Sequence, residues 1–243
     1  DEETIGTLEI AKRPVTVTAK GGEKQYDGKP LTAADTGYDI GGEGLVEGHE
    51  ADVALSGSQT APGASPATVE SVAVKDGDVD VANNYDVATA DGSLKVTNRD
   101  AQYEVTHKAN ASPENAYDGT EKTAKGVVTD RFVIDDVEYA VSGYETQDPA
   151  EVAAGVYTNN VSGDFKVKDP AGNDVTSEFA VHTEDGELEI LPREVTLASG
   201  SATKIYDGTA LELPDVTVGG DGFVGTEASV RATGSITDIG GPI

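Results

Sequence analysis

The sequence predicts a mostly β protein made of tandem β-sandwich-like or β-grasp-like modules of about 90 residues. Three observations carry that expectation. Apolar and polar residues alternate in short runs, as in Arg13-Pro14-Val15-Thr16-Val17-Thr18-Ala19, and turn residues separate the runs. No window of ten or more residues has a 3.6-residue apolar period. Two motifs also recur on one beat. Tyr-Asp-Gly occurs as Tyr26-Asp27-Gly28, Tyr117-Asp118-Gly119 and Tyr206-Asp207-Gly208. Gly-x-Leu-x-(Ile/Val) begins at Gly6, Gly92 and Gly186, each time with an Arg seven residues on, at Arg13, Arg99 and Arg193.

The beat sets the organisation. Residues 1–11 carry a Gly-x-Leu block with no module before it, and read as the last strand of an upstream repeat. Residues 12–98 are module one, 99–191 module two and 192–243 an incomplete module three. Module one opens with the alternating strand at Arg13. The Asp-Gly of each tripeptide marks a turn, because glycine accepts positive φ. Residues 41–48 are glycine-rich and loop, 51–56 alternate again, Pro62-Gly63 turns, and 68–74 is the next strand. Residues 85–89 and 93–96 close the module as a hairpin around Asp91-Gly92. Module two has five extra residues between Arg99 and Tyr117, read as a longer loop near 109–115. There is room for one short helix per module, around 45–50 or 149–154.

Composition narrows the partners. Of 243 residues, 45 are acidic and 17 basic, a net charge of −28, which repels nucleic acid and anionic lipid. The acids are interleaved with Val, Ile, Leu and Tyr, so they form a solvated face on a folded chain. No apolar stretch approaches the ~20 residues of a membrane span, and no membrane insertion is expected of this segment. The absence of Cys excludes disulfides and thiolate metal sites and suits an exported protein of a Gram-positive cell. No signal peptide is present and Asp1 is not a natural start, so the chain reads as an internal piece of something longer.

The Lys-x-Tyr-Asp-Gly opening (Lys24, Lys204), Gly-Ser-x-Thr at Gly57 and Gly234, the Asp-Val-x-x-x-Tyr run ending at Tyr85, and the closing Gly-x-Leu-x-(Ile/Val) resemble the YDG/MBG-type repeats of bacterial cell-surface, adhesin-like proteins. The resemblance covers nearly the whole chain. It implies an extracellular, tandemly repeated, mostly β module attached to the cell wall or cell surface. Module two departs from the pattern, with Asn115 at the Lys position and Phe179 at the Tyr position. The resemblance brings no catalytic signature.

Candidate chemistry is sparse. Each Tyr of the tripeptide reads as a core anchor ahead of an Asp-Gly turn, against the alternative of an exposed ring that meets a ligand. Asp76, Asp78 and Asp80 invite a calcium reading, since hard cations want clustered oxygens. Val81 and Val87, however, stand where a calcium loop needs Gly and Glu, which favours a solvated turn. His49, His107 and His182 occupy non-equivalent places with no metal-ligand or triad spacing. The glycine-rich 41–48 and 219–225 lack the Lys-Ser/Thr ending of a phosphate loop. A Lys–Asn or Lys–Asp cross-link has Lys24 and Lys204 as its candidates. No enzyme activity and no cofactor is expected.

Three functions follow: a stalk or spacer that carries a head domain, a module that itself binds host glycan or extracellular protein, or an accessory segment of a secreted enzyme. With no Trp and few aromatics, the stalk ranks first. Its partners would be neighbouring repeats of the same chain.

Overall fold

The computed structural model describes residues 6–240. The chain is mostly β and divides into two compact units. Unit 1 takes in residues up to 105 together with 130–143 and 164–182, and unit 2 takes in 106–129, 144–163 and the residues from 183 on.

In unit 1, strand Arg13–Ala19 buries Val15, Val17 and Ala19 on one face, as its period-two alternation dictates. It pairs antiparallel with Tyr38–Gly42 and parallel with Tyr85–Ala90. A second sheet orders Gly22–Gln25, Gly92–Thr97, Gly63–Asp76 and His49–Ser56 side by side. Val15, Val17, Ala19, Ala67, Val69, Val74, Tyr85 and Leu94 form the first core. A second core gathers Tyr26, Val96, Val137, Tyr139, Val167, Val175 and Phe179. Its rings interlock: Tyr139 meets Phe179 edge-on with centroids 4.9 Å apart and stacks on Phe132 at 5.4 Å.

The hairpin expected around Asp91-Gly92 does not form. Tyr85–Ala90 pairs with Arg13–Ala19, whereas Gly92–Thr97 joins the other sheet, parallel to Gly22–Gln25 and antiparallel to Gly63–Asp76. The chain crosses between sheets at Gly92, hard against residues 19–21. A Cβ there would lie 2.5 Å from the Ala19 carbonyl oxygen. Gly186 is in the same position, 2.2 Å from the Asn110 carbonyl oxygen by that measure. The glycine of Gly-x-Leu is therefore fixed by close backbone approach. Gly92→Ala should cost about 1–3 kcal/mol through forced backbone movement, read as a lower denaturant midpoint for unit 1; an unchanged midpoint would refute the crossing.

The helix windows at 45–50 and 149–154 are not helical. The α-helix found among the described residues is Ala33–Thr36, a single turn. It is held by a capping box: the Thr32 hydroxyl accepts from the Asp35 N–H, and the Asp35 carboxylate accepts from the Thr32 N–H at 3.0 Å. Residues 149–154 include strand Ala150–Glu151, and 45–50 lead into His49–Ser56. The long loop expected at 109–115 contains part of strand Ser112–Ala116, whose register against Gly186–Leu191 slips between Ser112 and Asn115.

In unit 2, Gly186–Leu191 is flanked by Ser112–Ala116, parallel, and Gly155–Asn159, antiparallel. It buries Leu188 and Ile190 beside Ala124, with Tyr117 and Tyr157 packed on them. Asn159 is wholly buried and satisfied: its amide donates to the Asn110 and Gly126 carbonyls and its oxygen accepts from the Asp148 N–H. Further on, Val195–Ser199 pairs with Val216–Gly220, and Leu211–Glu212 with Ser235–Ile236. These registers reproduce two from unit 1. Val195↔Gly220 matches Val15↔Gly42, and Leu211↔Ile236 matches Leu31↔Gln59.

Candidate functional site

The Tyr-Asp-Gly tripeptides share one local geometry. The glycine sits at φ 76° in Gly28, Gly119 and Gly208, a conformation that a Cβ disfavours. The preceding carboxylate closes an Asx turn by accepting the N–H two residues on: Asp27 from Lys29, Asp118 from Thr120 and Asp207 from Thr209, each at 2.9 Å. A lysine ammonium then caps the carboxylate. Lys24 reaches Asp27 at 2.7 Å and Lys204 reaches Asp207 at 2.9 Å. Asn115 stands at the equivalent place before the second tripeptide, and the cation comes from the other side of the turn instead, with Lys122 at 2.6 Å from Asp118. Lys24 and Lys204, the cross-link candidates, are engaged in these turns and donate further to the Lys29 and Ala210 carbonyls.

These contacts lower the carboxyls' affinity for protons. The Lys122 and Thr120 hydrogen bonds hold Asp118 well below its ordinary value, and the Lys204 and Thr209 bonds do the same for Asp207. Burial pushes Asp27 up, but Lys24 and the Lys29 N–H outweigh it and leave it lowered. A lowered folded value means that each turn's contribution is fully present above the unfolded value of about pH 4 and is lost as pH falls from there through the lowered folded value. In an NMR titration, the Asp118 and Asp207 carboxyls should stay ionised to lower pH than a carboxylate with no such partners. Titration with the bulk would break the assignment.

The tyrosines differ sharply in surroundings. Tyr26 is 0% exposed, with its hydroxyl 3.4 Å from that of Tyr139; burial first, then that hydrogen bond, pushes its phenol up. Gly28 leaves no room either, since a Cβ there would meet the Tyr139 hydroxyl at 2.1 Å. Tyr117 is half-buried, and its hydroxyl donates to the Glu227 carboxylate. It borders a cleft of about 360 Å³ with Arg193, Phe223 and Val224. Tyr206 is 59% exposed.

The repeated arginine joins the tyrosine's backbone. The Tyr26 N–H donates to the Thr97 carbonyl at 2.9 Å, and Arg99 Nη1 donates to the Tyr26 carbonyl at 3.1 Å. The second occurrence is alike, with Tyr117 N–H to Leu191 carbonyl at 3.0 Å and Arg193 Nη1 to Tyr117 carbonyl at 3.4 Å. Arg193 is oriented by the Gly222 and Asp221 carbonyls, and Arg13 in the same manner by those of Gly44 and Glu43. Arg99 instead lies over the Tyr103 ring, 3.8 Å from its centroid. Sequence reasoning registered the spacing of these arginines and gave them no role. It missed Lys122 too, whose signal is a lysine four residues after Asp118.

The remaining candidates are dispersed. Asp76 ends a strand 3.9 Å from His49 Nε2, and Asp80 accepts from the Ala82 N–H. Among the described residues no group of three or more His, Cys, Asp or Glu is arranged to hold a metal ion. His49 hydrogen-bonds the Tyr85 hydroxyl at 2.6 Å, His107 packs on Tyr144, and His182 pairs with Glu104. The arrangement as a whole ties chain segments together. Among the described residues no helix is long and apolar enough to cross a membrane. Comparison of the chain with protein-family models, curated proteins and solved structures finds no match in any of the three.

Proposed function

We propose that this chain is a non-catalytic tandem repeat segment of a secreted bacterial surface protein, of the kind the YDG/MBG resemblance implies, and that it acts as a stalk or spacer of an adhesin. The observation that carries this reading is where the repeated motif spends its groups. The Tyr26 ring is buried among Val137, Tyr139 and Phe179, its carbonyl is held by Arg99, and the following Asp27 closes a turn on the Lys29 N–H and pairs with Lys24. A motif committed to contacts within its own chain joins successive repeats, and repeats so joined give reach. The matched registers Val15↔Gly42 and Val195↔Gly220 support modules that share one plan.

A spacer makes a functional demand that can be measured. Inserted between a surface anchor and a reporter epitope, the chain should raise antibody access to that epitope through an intact surface glycan layer. Unchanged access, together with saturable binding of the isolated chain on a glycan array or to extracellular-matrix protein, would replace the stalk by the adhesin reading.

A further inference from the structure

Two parallel pairings in unit 1 share a single register. In the first sheet Arg13–Ala19 runs beside Tyr85–Ala90, with Arg13 opposite Tyr85 and Thr18 opposite Ala90. In the second sheet Gly22–Gln25 runs beside Gly92–Thr97, with Gly22 opposite Leu94 and Gln25 opposite Thr97. No residue is gained or lost on either strand between the two stretches. Residues 13–25 and 85–97 therefore keep one register while they leave one sheet together and enter the other. Glycine lets them do so. A Cβ on Gly21 would lie 2.8 Å from the Ser93 carbonyl oxygen, and one on Gly92 would lie 2.8 Å from the Gly21 nitrogen. The result is one parallel ladder, kinked at the crossing and about 40 Å long.

The chain enters this ladder at one end and leaves it at the other: Arg13 opens the first strand and Thr97 closes the second. Tension between residues 12 and 98 drags the two strands past each other along their length. In that direction the ladder's hydrogen bonds are loaded together, whereas pulling both strands from the same end opens them one after another. Each loaded strand is also interior to its sheet. Arg13–Ala19 has Tyr38–Gly42 on its other side, and Gly92–Thr97 has Gly63–Asp76. Sliding must break those bonds as well.

The repeated tyrosine and arginine stand at the exit. The Tyr26 N–H continues the ladder onto the Thr97 carbonyl, and Arg99 Nη1 donates to the Tyr26 carbonyl. The Tyr26 ring is buried among Val137, Tyr139, Val167 and Phe179, so the first strand cannot slide toward its start without drawing that ring out of the core. We infer that residues 13–26 and 85–99 form a force clamp that resists tension along the chain, with the Tyr26 ring as its bolt. Unit 2 has the like parallel pairing in Ser112–Ala116 and Gly186–Leu191, with the Tyr117 N–H on the Leu191 carbonyl. The use of such a clamp in the cell rests on the spacer reading; the clamp itself is a property of the fold.

The chain has no Cys, so paired Cys substitutions define the direction of pull on the full chain, with the thiols kept reduced until handles are joined. Lys12→Cys with Asn98→Cys loads opposite ends of the ladder, and Lys12→Cys with Asn83→Cys loads the same end; all three side chains are exposed. At equal constant force the first pair should hold at least about 10-fold longer than the second, the factor supplied by one further hydrogen bond broken in the same step. Tyr26→Ala should remove most of that ratio by shortening the lifetime across 12–98 more than that across 12–83. A ring that served stability alone would shorten both alike, and the bolt would fall. Should Tyr26→Ala not fold, the parent's ratio decides. Equal lifetimes in the two directions would overturn the clamp even in a chain that raises epitope access. A direction-dependent lifetime upholds it even in a chain that raises none.

Discussion

Tyr26→Ala should destabilise unit 1 by about 3–5 kcal/mol, the usual cost of deleting a buried aromatic side chain. The ring is fully enclosed, and its removal leaves Val137, Tyr139, Val167 and Phe179 facing a void. Tyr26→Phe should cost far less, about 0.5–1.5 kcal/mol, because the hydroxyl bond to Tyr139 is long at 3.4 Å. Tyr206→Ala, in the same tripeptide with the same Asx turn, should fall within about 0.5 kcal/mol of the parent, as for an ordinary surface residue. Unfolding in urea, followed by hydrogen exchange on the amides flanking each tyrosine, separates the three variants. Equal and large losses at Tyr26 and Tyr206 would mean that the tyrosine acts through its own turn, and the joining role would fall.

That contrast marks how much could be read from the sequence. The β class was legible because Arg13–Ala19 and its counterparts alternate with period two, and a period-two face must be covered. Pairing partners were not. Gly92–Thr97 carries the same alternation whether it turns back on Tyr85–Ala90 or crosses to lie parallel with Gly22–Gln25, and Asp91-Gly92 suits a hairpin on composition. What decides is the tight approach of Gly92 to Ala19 and Lys20, a long-range contact that leaves no local trace. Helix Ala33–Thr36 is too short for any 3.6-residue period, and its sign was the Thr32-x-x-Asp35 capping box. The tripeptide's turn chemistry was fully local and legible. The burial of its tyrosine was not, because it depends on residues more than a hundred positions away in Tyr139 and its neighbours.

Leu94→Ala and Leu188→Ala should each cost about 2–5 kcal/mol, whereas Leu8→Ala should cost almost nothing. All three leucines occupy the same place in Gly-x-Leu-x-(Ile/Val). Leu94 and Leu188 are 0% exposed, in strands bonded on both sides, and truncation opens a cavity that fixed backbone cannot collapse. Leu8 meets only solvent, so no packing is lost. The two units need not unfold together, so a single melting midpoint would mix their responses. Exchange at amides 92–97 and 186–191 reports each site separately. Loss of protection confined to the mutated strand and its two neighbours is the expected pattern. If Leu8→Ala also lowered protection, the segment 6–13 would be packed against the chain, and the motif's contribution would not depend on the pairing of its strand.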